Sequence, residues 1–136
     1  MTEAQPAVFL EARNNSPIYF TQAREYLQAA KQSDDEAMNY IRESIKQSCT
    51  GLIQTFMQYY CGNLSLSQLI SLCINFTTLT EEYFPRHTSE EIRLFNLLLN
   101  DPSQNSIRLK DIEQLLGQAE LFLKEAESLC VLRFNG

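Results

Sequence analysis

A single histidine, His87, and no tryptophan occur in this chain of 136 residues. One histidine excludes a His-rich metal site, an H-E-x-x-H helix and a paired Glu-x-x-His di-iron site. Phosphate loops of the G-x-x-x-x-G-K-[ST] and G-x-G-x-x-G types are absent, as is the G-x-S-x-G nucleophile turn. Glycine and proline number four each, too few for a turn-rich all-β fold. None of the four cysteines (Cys49, Cys61, Cys73, Cys130) lies in a C-x-x-C pair, so no zinc ribbon or thioredoxin-like motif is present. They read as small buried hydrophobes in a reducing compartment. No apolar run approaches the ~20 residues that span a bilayer. Residues 1–10 lack a basic segment leading into a long apolar stretch, so they do not read as a secretory signal. The expected location is the cytoplasm, with no membrane contact and neither metal nor cofactor.

Positive charge is scarce as well. Eleven Lys and Arg face 17 Asp and Glu, for a net charge of −6. That balance disfavours broad nucleic-acid binding, which needs cations to displace counterions; a local basic patch stays open. What the chain does have is apolar content, 44%, in a length that suits one domain with its own core. The expected division is a flexible tail over 1–16, one domain over 17–130 and a short tail over 131–136.

Apolar residues recur at steps of three and four throughout, the spacing of one helical face. The first helix is expected from about Pro17 to Gln32, on Phe20, Ala23, Leu27 and Ala30. Ser16 caps it and Pro17 opens it; at most a helical turn precedes it. Ser33 and Glu36 match a capping box. The longest helix follows, from about Glu36 to Tyr60, on Met38, Ile41, Ile45, Cys49, Leu52, Phe56 and Tyr59. Gly51 interrupts it and implies close packing there, and Gly62 is its expected left-handed cap. A third helix starts at Ser65 or Ser67 and runs to about Phe76. Thr77 to Thr80 form a poor helix interior, so it either stops there or continues to the break at Pro85. A fourth begins after Thr88, which makes a second capping box with Glu91, on Ile92, Phe95, Leu98 and Leu99. Residues 100–106 are the strongest loop signal. The fifth spans about Leu109 to Leu129, on Ile112, Leu115, Ala119, Phe122, Ala126 and Leu129. The fold class is therefore all-α: an up-and-down bundle of about five helices around a four-helix core, with the longest helix as its central wall.

Chemistry is thin on this scaffold. The carboxylate pairs Asp34-Asp35, Glu81-Glu82 and Glu90-Glu91 fall at helix ends, where capping and solvation explain them. Two places could bind a ligand. In the first, His87 is of the one residue type whose unperturbed pKa lies near neutrality, Arg86 is a fixed cation, and Thr88 opens a helix whose N-terminus attracts anions. In the second, Arg108 and Lys110 stand at the start of the last helix, where cations do not serve helix stability and could meet a phosphate. The bland reading of both is a solvated loop. Phe56, Tyr59 and Tyr60, with Tyr83 and Phe84, read mostly as core, any exposed remainder being a partner surface.

The run YFTQAREYLQAAKQ, an acidic break, then EAMNYIRESIKQSCTGLIQTFMQYYCG resemble the opening of HEPN domains. LSLSQLISLC resembles their third helix, and IRLKDIEQLLGQAELFLKEAESL their last. The resemblance covers about residues 17–130. It implies a helical bundle that often dimerises, sometimes binds nucleotides, or partners a toxin or a nucleotidyltransferase. Active HEPN ribonucleases carry an Arg, four to six residues, then a His; the Arg steadies phosphate charge and the His moves a proton. Here Thr80, Glu81 and Glu82 stand where the Arg would precede His87, and Arg108 has no His near it. No catalytic residue is carried over. The expected function is a non-catalytic HEPN-like interaction module, a homodimer or a partner-docking subunit. The alternatives are a nucleotide- or RNA-binding protein or degenerate ribonuclease using Arg86 and His87, and a small acidic chaperone or adaptor.

Overall fold

The computed structural model describes the backbone over residues 4–58, 63–99 and 107–135, and side chains over 17–58, 63–99 and 107–132. Within these residues there are six helices and no strand: α1 (Ala4–Ala30), α2 (Ala37–Met57), α3 (Leu66–Cys73), α4 (Leu79–Tyr83), α5 (Ser89–Leu99) and α6 (Leu109–Asn135). None is long and apolar enough to cross a membrane. The expected cap Gly62, with Tyr59, Tyr60, Cys61 and the loop 100–106, lies outside the described residues.

Three long helices carry the core. α1 and α2 form an antiparallel hairpin, seen in the Ser44 hydroxyl donating to the Ala23 carbonyl at 2.8 Å and Gln54 reaching the Tyr19 hydroxyl at 3.3 Å. α6 also runs antiparallel to α1: Arg24 pairs with Glu127, and Lys31 pairs with Glu120. α2 and α6 are therefore parallel, and α3, α4 and α5 return the chain along the bundle between them. Phe20, Ala23, Leu27 and Ala30 meet Met38, Ile41, Ile45, Cys49 and Leu52, and Leu115, Ala119, Phe122 and Ala126 close the third side, all buried. The wall expected on α2 is there, except that Phe56 is only half-buried, its ring stacked on Phe76 at 5.3 Å.

At Gly51, α1 comes close to that wall. A Cβ there would stand 2.8 Å from Cζ of Phe20 and 3.1 Å from both Cε atoms. The Gly51→Ala change is expected to lose about 1 kcal/mol overall. The helix propensity gained, about 1 kcal/mol, is outweighed by overpacking of about 1–3 kcal/mol, because Phe20 is buried and has no room to swing aside. Urea unfolding checks this; a more stable variant would mean that the ring yields.

Several helix ends depart from the sequence reading. The break expected before Pro17 does not occur, and α1 continues through it from Ala4. Proline removes one internal N–H bond there, one among many in a helix of 27 residues. The Ser33–Glu36 capping box does not form: α2 starts one residue later, with Glu36 at the cap and no side-chain cap bond. The left-handed residue ending α2 is Gln58, φ 59°, whose N–H donates to the Ile53 and Gln54 carbonyls. α3 starts at Ser65 with a complete capping box to Gln68. It stops at Cys73, and α4 is a separate short helix, entered where the Thr77 hydroxyl accepts from the Leu79 N–H at 3.2 Å. In α5 the buried side passes through Leu94, Phe95 and Leu98, leaving Ile92 exposed. α6 runs six residues beyond the expected Leu129, since Cys130 is still packed in the core and no glycine lies between Leu129 and Gly136.

Candidate functional site

The loop at Pro85 to Thr88 leads into α5, and its polar groups turn inward on the chain. The Thr88 hydroxyl accepts from the Glu91 N–H at 3.1 Å, and the Glu91 carboxylate accepts from the Thr88 N–H at 2.9 Å and the His87 N–H at 3.0 Å. This is the capping box read from the sequence, and it has a chemical consequence. The N-terminus of α5, where an anion would bind, already holds a carboxylate. The backbone N–H of Thr88 and then of His87 draw the Glu91 carboxyl below its ordinary range. The Arg86 guanidinium lies 4.5 Å from the centre of the Phe95 ring, a cation–π contact. The His87 side chain is exposed. The cavity behind this loop, lined by Pro85, Glu91 and Phe95, holds only about 10 Å³, space for one water at most.

Arg108 and Lys110 belong to a second group, at the start of α6. Its centre is Asp111, a carboxylate that is 1% exposed. Arg93, from α5, grips both oxygens at 2.7 and 3.1 Å. The Arg108 N–H donates at 3.2 Å and the Arg108 guanidinium at 3.3 Å. Glu90 completes the network by holding Arg93 at 2.6 and 3.0 Å. The Arg93 bonds, against the cost of burial, hold the Asp111 carboxyl well below the usual carboxylate range. Glu90 and then Asp111 stabilise the charged form of Arg93 further. Arg108 thus has a partner three places on but keeps a side chain that is 61% exposed, and Lys110 is exposed as well.

Arg86 stacks on Phe95, whereas Arg108 pairs with Asp111, so the candidates fall into two groups with separate partners. Arg93, Asp111 and Arg42 are missing from the sequence reading. Arg42 crosses from α2 to donate to the last carbonyls of α5, Leu97 at 2.8 Å and Leu98 at 2.7 Å, a cation at a helix C-terminus. For Asp111 a signal existed: it is the acidic third position of a helix, the carboxylate half of a capping box without its Ser or Thr.

The thiols form a third group. Cys49, Cys73 and Cys130 are buried and make no disulfide. Cys130 faces the Gly51 carbonyl at 3.9 Å and Cys73 faces that of Cys49 at the same distance. Burial pushes the Cys130 thiol up to about 11, which leaves it a poor nucleophile. No cluster of three His, Cys, Asp or Glu among the described residues is arranged to hold a metal ion. Comparison with protein-family models gives no match, and comparison with curated proteins gives none either.

Proposed function

We propose that this chain is a non-catalytic helical interaction module of HEPN-like layout, working in the cytoplasm as a homodimer or as a partner-docking subunit. The observation that carries the reading is how its polar and apolar groups are deployed. Glu91 fills the one helix N-terminus that His87 and Thr88 could offer an anion, and Asp111 engages both Arg93 and Arg108. Large apolar side chains stand in solvent instead: Ile18, Ile92, Leu109, Leu121 and Leu132. The long antiparallel α1–α2 hairpin and the closing α6 suit the layout implied by the resemblance. RNA incubated with the purified chain should stay intact and unbound at physiological salt. Cleavage that disappears in His87→Ala would overturn the reading in favour of a ribonuclease.

A further inference from the structure

The α1–α2 hairpin carries a hollow near its turn that none of the networks above uses. Gln22, Glu25, Tyr26 and Ala29 line it from α1, at the spacing of one helical face. Tyr40, in the first turn of α2, closes it from the other side. The space is about 370 Å³, within the size range of small-ligand pockets. Tyr26 and Tyr40 are both half-buried, with ring centroids 6.2 Å apart and planes 30° from parallel. Charge around the rings is predominantly negative. Glu25 is exposed and is in no ion pair among the described residues. Glu36 and Glu43 lie about one helical turn to either side of Tyr40. The cations nearest in sequence are engaged elsewhere: Arg24 with Glu127, Arg42 with the Leu97 and Leu98 carbonyls, and Lys46 with Glu43 at 3.6 Å.

We propose that this hollow binds a small quaternary ammonium cation, attracted by the Tyr26 and Tyr40 rings and by the Glu25 carboxylate. Aromatic rings draw cations through their quadrupole, and a pair of rings with a carboxylate beside them suits a diffuse organic charge. The lining selects among cations. A hard metal ion needs several oxygen ligands; the hollow offers one carboxylate and the Gln22 amide, and no metal-holding cluster occurs among the described residues. A primary ammonium is compact and strongly hydrated, with N–H donors to satisfy. A quaternary ammonium has no N–H, and its methyl groups suit Ala29 and the ring surfaces. Glu25 repels anions from the same space, and the net charge of −6 enriches cations near the chain. The site requires no second copy of the chain, so it stands or falls apart from association.

The test is a titration of the full chain with choline chloride, followed by the ring NMR signals of labelled tyrosine. Its controls are sodium chloride and the neutral isostere of choline, in which carbon replaces nitrogen. Choline should shift the Tyr26 and Tyr40 signals saturably, with a dissociation constant of about 1 mM or tighter, and neither control should do so. Read at Tyr26, Tyr40→Leu should weaken binding about fivefold or more, while Tyr40→Phe, which keeps the ring, should stay within about twofold of wild type. Glu25→Gln should weaken it about threefold, the scale of an exposed charge contact. Circular dichroism confirms that each variant is folded; Glu25 is exposed, so that variant decides the matter if Tyr40→Leu does not fold. The absence of a saturable shift overturns the site, as do shifts that either control reproduces. Choline binding that Tyr40→Leu and Glu25→Gln leave unchanged overturns it as well.

Discussion

Replacing Phe122 with alanine is expected to lower the stability of the fold by about 3–5 kcal/mol. The ring is fully buried on α6 and meets Phe84 edge to face at 5.4 Å, which joins α6 to the end of α4. Its removal deletes a large apolar surface and leaves a cavity. The helices around that cavity are held by Arg24–Glu127 and Lys31–Glu120 on one side and by the α2 wall on another, so collapse into it is limited. The midpoint of urea unfolding should fall with the slope unchanged. The same change at Phe56, half-buried at the end of α2, should cost clearly less. Equal losses at the two positions would show that the core is not centred on α6 and α2 as described.

Asp111→Asn is the second large effect, and it carries a pH signature. At neutral pH the variant should be less stable by about 2–3 kcal/mol, the scale of charge-assisted hydrogen bonds lost from a buried carboxylate. Breaking a fully buried ion pair would cost more; here Arg93 is 35% exposed, and water screens part of the loss. The Asp111 carboxyl titrates lower in the folded chain than in the unfolded one. Its contribution is therefore complete above the ordinary carboxylate value near 4 and is lost as pH falls toward the depressed folded value. The gap between wild type and Asp111→Asn should narrow from pH 5 to pH 2, measured as urea midpoints. A gap constant across that range would mean that the contact is not ionic. Glu90 and Glu91 are also depressed, so both proteins should weaken in acid; only the difference reports on Asp111.

The apolar stripes were legible because each helix states its own period. Met38, Ile41, Ile45, Cys49 and Leu52 need no knowledge of their partners to be recognised as one face, and all five are buried. Local capping was legible at Thr88–Glu91, where donor and acceptor are three residues apart; the like box at Ser65–Gln68 was not read. Gly51 was legible in kind, as a point of close packing, although nothing local says that Phe20 is what approaches it. Local rules failed where another force competed. The bond lost at Pro17 is one among many in a helix of 27 residues. Ser33 and Glu36 matched a capping pattern, yet the chain still turns at Glu36 and α2 begins at Ala37.

The candidate site divides along the same line. The sequence shows cations at the starts of two helices but not what neutralises them. Arg108 looks available until Asp111 is placed beside it, and Asp111 looks solvated until Arg93 arrives from 18 residues away. Arg42 caps α5 across 56 residues, a pairing that no spacing rule contains. The bonds that fasten α2, α5 and α6 come instead from Arg42, Arg93 and Asp111. Large apolar side chains remain in solvent on α1, α5 and α6, among them Ile18, Ile92, Leu121 and Leu132.

Association is therefore the property to measure. Light scattering on the unmodified chain, followed from low to high micromolar concentration, tests it most directly. The expected result is a molar mass approaching twice the 15.7 kDa of one chain. A mass that stays at 15.7 kDa across the range, together with RNA cleavage that requires His87, would contradict it.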